Sequence, residues 1–365
     1  MNKGWLVDLG SKMALWALDL HLPIVKRVIK KTVFPQFCGG ETLEESIDDI
    51  EHLYKFKTQS VLDYGAEAKE TEEAYDFTMN QNIKAIQFAH DQESVPGIST
   101  KVTGLCDFDL LEKHHRGDEF SKEENERYER ANARLDRMCR NAFENGVSIY
   151  IDAEESWIQD SIDEMSDTMM SRYNKEKAIV YNTFQLYRTD RMDFLKASYD
   201  KAQKEGYILG AKLVRGAYMH KERTRAAEMG YPSPIHETKE DTDRDYNEAV
   251  IFCVERYKEM ASCNATHNLH SNALQSSLID QMKIDRNHPH LNSSQLYGMS
   301  DNITFNLSAA GFNVSKYMVY GKVSEVTPYL IRRAQENSSV TGDISRELHL
   351  LNTEVERRKN LKKSN

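Results

Sequence analysis

After residue 58, short apolar segments alternate eight times with longer amphipathic segments. Strands and helices that alternate at this spacing indicate parallel strands joined by right-handed crossovers. Eight such units predict that the sheet closes into a barrel. The predicted strands span 60–65, 99–105, 147–154, 178–187, 207–218, 264–268, 294–298 and 316–321. The predicted helices span 67–92, 120–145, 156–173, 190–205, 239–260, 271–285, 302–310 and 324–337.

The predicted fold class is α/β, with a (β/α)8 TIM-like barrel formed by residues 58–345. The competing fold is an open, doubly wound sheet, whose first helix commonly begins with a GxGxxG fingerprint. No such fingerprint opens a helix after the first predicted strand. Residues 1–57 are predicted to form an N-terminal helical extension, and residues 346–365 a helical and basic C-terminal tail.

The composition restricts the compartment and the partners. The chain has 365 residues and a formal net charge of -10, which argues against a nucleic-acid partner because phosphate binding relies on basic surfaces. No apolar stretch approaches the length of a bilayer-spanning helix. The 5 cysteines are odd in number and form no CxxC pair, which favours a reducing compartment over a disulfide framework.

The N-terminal stretch "MALWALDLHLPIVKRVIKK" is apolar on one side and ends in basic residues. Asp19 interrupts the apolar part and no small-residue cleavage site follows, so a secretory signal or a transit peptide is disfavoured. Two predictions remain for it, a helix packed under the barrel and a peripheral contact with a membrane surface. The basic end "ERRKNLKKSN" is predicted to be a solvated tail, with the same membrane alternative.

Polar residues stand near the carboxyl ends of the predicted strands, where a barrel of this kind places its chemistry. Each has a structural alternative, such as a salt bridge between Lys101 and Asp152 or amide hydrogen bonds that satisfy the barrel rim. His267 and His270 form an HxxH pair without a third ligand at a suitable spacing, so no metal site is predicted. The polar residues are Asp63, Glu67, Lys101, Asp152, Glu154, Glu155, Asn182, Gln185, Lys212, Arg215, Tyr218, Thr266, His267, Asn268 and Tyr317.

The last predicted helix carries two adjacent arginines, Arg332 and Arg333. With Tyr329 and Glu336 they occupy positions i, i+3, i+4 and i+7, so the four residues share one face. Two guanidinium groups beside an aromatic ring can bind a carboxylate and cover an apolar ring next to it. Together with Lys101, the arginines predict an anionic ligand.

Five segments resemble the proline dehydrogenase (proline oxidase) family, in order and at spacings that suit a barrel. The resemblance covers most of residues 60–340, and it is closest to the single-function, mitochondrial-like and bacterial branch because no aldehyde dehydrogenase module follows. The combination of the third and fifth segments is highly specific. The segments are "STKVTGL", "YIDAEE", "AKLVRGAYM", "NATHN" and "KYMVYGKVSEVTPYLIRRAQENSS".

The resemblance implies a distorted, flavin-binding (β/α)8 barrel that holds FAD without a dinucleotide fingerprint. It implies oxidation of L-proline to Δ1-pyrroline-5-carboxylate by hydride transfer to flavin N5, the first step of proline catabolism to glutamate. The implied partners are a membrane quinone as electron acceptor and, transiently, pyrroline-5-carboxylate dehydrogenase. The expected location is the bacterial cytoplasm, peripheral at the inner membrane. The alternative is the matrix side of the mitochondrial inner membrane.

The resemblance also assigns the substrate end of the site. The adjacent arginines match the pair that binds the substrate carboxylate, and Lys101 matches a lysine that adds a third contact. Three tyrosines match the aromatic walls around the proline ring, and Glu67 falls where an acid can pair with the first arginine as a gate. The implied substrate-binding residues are Glu67, Lys101, Tyr218, Tyr317, Tyr329, Arg332 and Arg333.

At the other end, Gln185 matches the glutamine that hydrogen-bonds the flavin ring, and Thr266 and His267 match the pair along the ribityl and pyrophosphate chain. The implied catalytic residues are Asp152, Lys212 and Lys101. The implied cofactor-binding residues are Ile151, Asn182, Gln185, Lys212, Arg215, Gly216, Ala217, Thr266 and His267.

One residue departs from the pattern of many bacterial members, which have arginine where this chain has Lys212. Lysine keeps the positive charge beside the flavin but cannot form a forked hydrogen bond. Tyr317 is expected to favour proline over hydroxyproline, because it packs near the ring carbon that would carry the hydroxyl group. The alternatives are hydroxyproline dehydrogenase, a metal-dependent barrel hydrolase that uses Asp152 and His267, and a catalytically dead barrel that serves as a binding module.

Overall fold

A computed structural model describes residues 23–65, 70–338 and 352–359. In this part of the chain all named strands pair in parallel within one sheet, in the order β1-β9-β2-β3-β4-β5-β6-β7-β8. Pairing of β8 with β9 closes β2–β9 into a barrel, which confirms the predicted (β/α)8 fold. The strands are β1 (Cys38–Gly40), β2 (Gln59–Tyr64), β3 (Gly97–Lys101), β4 (Ser148–Asp152), β5 (Val180–Gln185), β6 (Leu209–Val214), β7 (Met260–Ala265), β8 (Leu291–Leu296) and β9 (Asn313–Tyr320).

Each of the eight predicted helices corresponds to an observed helix, and two further helices, α5 and α9, occupy strand-to-helix connections. The helices are α1 (Pro23–Lys31), α2 (Phe34–Phe37), α3 (Ile47–Tyr54), α4 (Glu72–His90), α5 (Phe108–His115), α6 (Lys122–Asn145), α7 (Ser156–Tyr173), α8 (Arg191–Glu205), α9 (Met219–Met229), α10 (Lys239–Glu255), α11 (Leu269–Gln281), α12 (Asp301–Ala309) and α13 (Val323–Ser338).

Local signals define the ends of α6, the longest of these helices. Ser121 accepts a hydrogen bond from the backbone of Glu124, whose side chain accepts one in return from the Ser121 backbone. This capping box satisfies two donors that the first turn leaves without helical partners. The helix ends at Gly146, whose left-handed φ of 67° costs glycine little. Its buried face, which includes Leu135 and Met138, packs into the main hydrophobic core.

The main core lies between the barrel and its helices, because alternate strand residues point outward. Ile149 and Ile151 of β4 belong to this core. Tyr150, between them, belongs to a separate small cluster with Val61 and Tyr181, which fills the barrel interior. The two sets of side chains explain why β4 carries apolar residues on both of its faces.

The described part of the N-terminal extension contains a strand that the sequence analysis did not predict. β1 pairs with β9 through Cys38 and Gly40, and Gly321 N donates to Gly40 O at 3.0 Å. Phe34 and Phe37 join a hydrophobic cluster with residues of β9 and α13. The described part of the extension therefore lies beside the carboxyl end of β9. The first half of the stretch predicted either to pack under the barrel or to contact a membrane lies outside the described residues, and its second half is helix α1.

Only residues 352–359 of the predicted C-terminal tail are described, and they are helical. Among the described residues, no helix is long and apolar enough to cross a membrane.

Candidate active site

In β4 the inward-facing residues change from apolar to polar along the strand. Tyr150 fills the barrel interior, and Asp152 follows it two residues later on the same face of β4. Lys101 pairs in register with Asp152, and Lys212 pairs in register with Thr183. Strand alternation and parallel register therefore bring these polar side chains into one layer at the carboxyl end of the barrel.

Asp152 is the centre of the hydrogen bonds in this layer. Its Oδ1 accepts from Lys212 Nζ at 2.6 Å and from Ser99 Oγ at 2.9 Å. Its Oδ2 accepts from Tyr317 OH at 2.9 Å. Burial raises the pKa of Asp152, but the charges of Lys212 and Lys101 outweigh burial, and the net pKa is lowered. Asp152 is thus a carboxylate at neutral pH that holds Lys212 and Tyr317 in place.

Lys101 lies between two carboxylates. Its Nζ is 3.8 Å from Asp63 Oδ2 and 3.9 Å from Asp152 Oδ2. Burial lowers the pKa of Lys101, but the two carboxylates more than compensate, so its net pKa is raised. For Asp63, burial is the largest influence and raises the pKa, against the opposing charge of Lys101. Lys101 is therefore a cation throughout the physiological pH range.

A cavity of about 380 Å³ lies at the carboxyl ends of the strands, within the usual size of small-molecule sites. Fourteen of the predicted site residues line it: Lys101, Asp152, Gln185, Lys212, Arg215, Gly216, Ala217, Tyr218, Thr266, His267, Tyr317, Tyr329, Arg332 and Arg333.

Helix α13 contributes the arginine pair to this cavity. Arg332, Arg333 and Tyr329 all line it, so both arginines face the same cavity. Arg333 is 7% exposed, and its guanidinium carbon lies 5.1 Å from the ring centroid of Tyr329. An aromatic ring at this distance favours the cation and fixes its orientation.

A second group of polar residues lines the side formed by β6, β7 and the segments that follow them. Arg215 donates to Asp243 Oδ1 at 2.8 Å and to Thr266 Oγ1 at 2.7 Å. His267 Nδ1 is 2.9 Å from Ser300 Oγ. Burial, followed by nearby positive charge, lowers the pKa of His267 to about 3. His267 is therefore neutral at physiological pH.

Gln185, at the end of β5, is 2% exposed and lines the cavity. Its Nε2 donates to Glu154 O at 3.1 Å, which fixes the amide. Its Oε1 is buried and has no hydrogen-bond partner among the described residues. Since a buried acceptor without a partner is costly, this oxygen is a candidate acceptor for a donor group of a ligand in the cavity.

Two predicted cofactor residues do not line the cavity. Ile151 is fully buried in the main core on the outer face of β4. Asn182 donates to Asp163 Oδ1 of α7 at 2.9 Å, so its side chain also points outward. Each lies one position away from an inward-facing residue, Asp152 in one strand and Thr183 in the other. A shift of one residue moves a side chain to the opposite face of a strand.

The predicted gate residue Glu67 and the side chain of Glu336 lie outside the described residues. The structure adds cavity-lining residues that the sequence analysis did not single out as ligands. Ala153 immediately follows Asp152, and Lys239 is the first residue of α10. Because alternate residues of a strand face the same side, the strand pattern could have identified Thr183, Val214 and Leu296 as further lining residues.

The described residues contain no cluster of three or more His, Cys, Asp or Glu side chains that could hold a metal ion. The cysteines do not pair in the structure. All five, Cys38, Cys106, Cys139, Cys253 and Cys263, are free and buried.

Comparison with known proteins identifies the family. The sequence model described as "Proline dehydrogenase" matches residues 46–346, which includes the whole barrel and α13. The chain belongs to the proline dehydrogenase family. The resemblance found in the sequence is therefore confirmed.

Relatives of this proline dehydrogenase family member come from plants, bacteria and animals. "Proline dehydrogenase 1, mitochondrial" of Arabidopsis thaliana is 32% identical, over 97% of this chain and 80% of its own length. "Carbapenem antibiotics biosynthesis protein CarD" of Pectobacterium carotovorum subsp. carotovorum is 31% identical, over 96% of this chain and 91% of its own. "Proline dehydrogenase 1, mitochondrial" of Homo sapiens is 38% identical, over 66% of this chain and 40% of its own.

A solved structure shares the fold. The crystal structure of proline utilization A (PutA) from Bdellovibrio bacteriovorus, inactivated by N-propargylglycine, matches with a TM-score of 0.77 at 22% identity. The match covers 87% of this chain and 34% of that chain, so this proline dehydrogenase family member spans about a third of it.

Proposed function

We propose that this protein is an FAD-dependent dehydrogenase that oxidises L-proline to Δ1-pyrroline-5-carboxylate. Family membership supports the reaction class, and relatives named proline dehydrogenase support the substrate. The observation that carries the proposal is the convergence of Arg332, Arg333 and Lys101 on the same cavity that Gln185 lines. Such a cavity offers a carboxylate a cationic end and offers a flat polar ring a fixed amide.

The residues present fit a flavin. Gln185 Oε1 is a buried acceptor that a ring N–H group can satisfy. Arg215, Thr266 and His267 would hold the polar chain and the phosphates, and Gly216 lines the same side of the cavity. When bound, FAD supplies the hydride acceptor, which is chemistry that no side chain of the protein can perform.

The substrate carboxylate is proposed to bind at the cationic end. Arg332 and Arg333 present planar donors, which suit a carboxylate better than a point charge does. Tyr317 and Tyr329 are cavity walls that would flank the saturated ring. Fixing the ring in a reactive orientation is worth up to about 7–11 kcal/mol in favourable systems.

The charges of the site also favour loss of the proton from the ring nitrogen of proline. Lys101, Lys212, Arg332 and Arg333 line the cavity, whereas Asp152 is the acid among its lining residues. A protonated amine in this surrounding meets several like charges, so its neutral form is favoured. A neutral amine is the form that can stabilise the positive charge that develops at the neighbouring ring carbon.

Tyr317 supports proline over hydroxyproline as the substrate. Its ring lines the cavity, and its hydroxyl group donates to Asp152 at 2.9 Å. Lys212 Nζ lies 4.8 Å from the centroid of the Tyr317 ring. A ring held by both contacts cannot easily move to admit an additional hydroxyl group.

The electron acceptor and the partners follow from the same proposal. A membrane quinone is proposed to reoxidise the cofactor, and pyrroline-5-carboxylate dehydrogenase to receive the product in a transient contact. The proposed locations are the bacterial cytoplasm at the inner membrane, through a peripheral contact, or the matrix side of the mitochondrial inner membrane. Relatives whose names include "mitochondrial" support the second.

The direct test is the visible spectrum of the purified protein before and after anaerobic addition of L-proline. We expect a yellow protein. Its flavin absorption should be bleached by L-proline, and chelators should have no effect on it. A colourless protein inhibited by chelators would instead support the barrel hydrolase. A yellow protein that L-proline does not bleach would support the binding module.

The arginine assignment has its own test. Arg333→Met is expected to raise the KM for L-proline about a hundredfold while FAD stays bound, because a hydrogen-bonded charge contact contributes about 1.5–3 kcal/mol and truncation also removes a charge from the site. Arg286→Met is the matched control, since Arg286 pairs with Asp280 before β8, away from the cavity. Equal KM values for the two variants would refute the carboxylate assignment.

A further inference from the structure

Glu41 connects the N-terminal extension to α13. Its Oε1 accepts from the backbone N–H of Val323, the first residue of α13, at 3.1 Å. The same carboxylate pairs with Lys30, and Lys26 Nζ lies 3.7 Å away, both on α1. Its own backbone N–H donates to Glu45 Oε2 at 2.8 Å. One half-buried acid therefore joins three parts of the chain.

The beginning of α13 depends on contacts from outside the helix. Pro328 has no backbone N–H, so it cannot donate to the carbonyl group of Ser324 one turn earlier. The hydroxyl group of Thr327 donates to Val323 O at 2.6 Å, which is a local bond of the first turn. The N–H group of Val323 has no partner within the helix, as for every first helical residue. Glu41 supplies that partner.

A negative charge is well placed at this position. The amino end of a helix carries partial positive charge, which a carboxylate there stabilises. Burial raises the pKa of Glu41. Lys30 and the Val323 N–H group together lower it by a larger amount, so the net pKa is below the ordinary value of a glutamate side chain. Glu41 is therefore ionised at neutral pH, and its contacts with α13 persist across the physiological range.

The first turn of α13 is connected to the proposed carboxylate-binding end of the site through a hydrophobic cluster. Val323 and Val326 share a hydrophobic cluster with Tyr329, and the cluster also includes Phe34 and Phe37 of the extension. Arg332 follows Val323 by nine residues, which is about 13 Å along a helix. A displacement at the start of α13 thus moves the arginines relative to the barrel wall that carries Lys101.

We infer that Glu41 is a positioning residue for the carboxylate-binding end of the site, acting through α13 on Arg332 and Arg333. The inference rests on the proposed function, because it assumes that the arginines bind the substrate carboxylate. It adds the N-terminal extension, whose described residues do not line the cavity, to the parts of the chain that determine substrate affinity.

The test compares Glu41→Ala with Glu44→Gln in the complete, flavin-loaded protein. Glu44 is an exposed acid three residues away and is not bonded to α13. Loss of a helix-capping acceptor typically corresponds to about a fivefold change in an equilibrium. We expect Glu41→Ala to raise the KM for L-proline about fivefold, with kcat and flavin content within twofold of the unaltered protein. Glu44→Gln is expected to leave all three quantities unchanged.

A double variant tests whether Glu41 acts through the arginine pair. Residues that act as one unit are not additive, so Glu41→Ala should raise KM less than twofold when Arg333→Met is already present. Glu41→Asp, which keeps the charge on a shorter side chain, should recover part of the affinity. An unchanged KM in Glu41→Ala would overturn the inference. So would the same fivefold rise in the Arg333→Met background, or a parallel fall of kcat and flavin content.

The two proposals fail in different ways. If L-proline does not bleach the flavin of the unaltered protein, the proposed function fails and no KM comparison is needed. If L-proline bleaches the flavin but Glu41→Ala keeps a normal KM, the proposed function stands and the role of Glu41 fails.

Discussion

Glu154 follows Asp152 by two residues, in the loop that leaves β4 for α7. Its side chain is buried, with Oε1 accepting from Thr103 N at 3.1 Å and Oε2 from Thr103 Oγ1 at 2.6 Å. Its carbonyl oxygen accepts from Gln185 Nε2. Burial, opposed by the bonds from Thr103 and reinforced by Glu155, raises the pKa of Glu154 to about 7.

This pKa predicts a specific dependence of stability on pH. A raised pKa means that the folded protein retains a proton that the unfolded chain releases, so stability falls as pH rises from the ordinary value toward the folded value. For Glu154 the interval runs from 4.5 to about 7. At about 1.4 kcal/mol per pH unit, ionised Glu154 lowers the free energy of unfolding at pH 8 by about 3 kcal/mol relative to its contribution below pH 4.5.

The perturbation is Glu154→Gln, which keeps the shape and an acceptor for the Thr103 N–H group but cannot ionise. Urea unfolding of the variant and of the unaltered protein, measured between pH 4.5 and pH 8, isolates this group because all other carboxyl groups are common to both. As pH rises across this interval, the free energy of unfolding of the variant should increase by about 3 kcal/mol relative to that of the unaltered protein. Glu144→Gln, at an exposed position in α6, should show no such gain.

A constant difference between Glu154→Gln and the unaltered protein across the pH range would refute this reasoning, since it would mean that Glu154 titrates near its ordinary pKa. A difference that grows as pH falls would refute the assigned direction of the shift.

Two further substitutions test the site at other points. Tyr317→Phe removes the donor to Asp152 Oδ2. Because a hydrogen bond to a charged group contributes about 1.5–3 kcal/mol, kcat/KM for L-proline should fall by about tenfold or more. Unchanged steady-state kinetics would contradict the role of this bond. Gly216→Ala places a Cβ 2.4 Å from the Tyr187 ring, at a φ of 137° that other residues rarely adopt, so the purified protein should lose most of its flavin. Gly146→Ala, where φ is also positive but no atom lies within 4 Å, should cost about 1 kcal/mol of stability and retain flavin, which separates the close contact from the backbone conformation. Full flavin occupancy in Gly216→Ala would show that the Tyr187 ring can move aside.

The barrel was predictable because its signal is distributed over the whole chain. Each apolar segment and each amphipathic segment is weak evidence alone, but eight repetitions leave few alternatives. The arginine face of α13 was predictable for a related reason, since helical spacing fixes which residues share a face. Both predictions use periodicity, which tolerates errors of one or two residues at the ends of elements.

Sequence reasoning was weakest where one residue decides which way a side chain points. Ile151 and Asn182 were assigned to the cofactor, but strand alternation turns both side chains outward, and their neighbours Asp152 and Thr183 face the cavity. The predicted strand at 264–268 begins four residues late, because the buried part of β7, "MASCN", mixes small, apolar and polar residues without a clear apolar pattern. Which side chains of a strand face the barrel interior can be decided only after the register of the strand is known.

β1 was missed for another reason. Its sequence, "CGG", has no strand propensity, and it exists because β9 offers an edge to pair with. Glu41, which follows it, carried no motif in the sequence, since its role depends on a contact with Val323 across 282 positions. Contacts of this range follow from the closed fold and leave no local pattern in the sequence.

Barrel closure and site assembly depend on the same late part of the chain. β9 is the strand that joins β8 to β2, and it carries Tyr317 and continues within three residues into α13. During synthesis, a nascent chain therefore has neither a closed barrel nor an assembled cavity until this region leaves the ribosome. Affinity for the proposed carboxylate ligand then reports completed folding, because a chain with the assembled site must already have made the last pairing of the sheet.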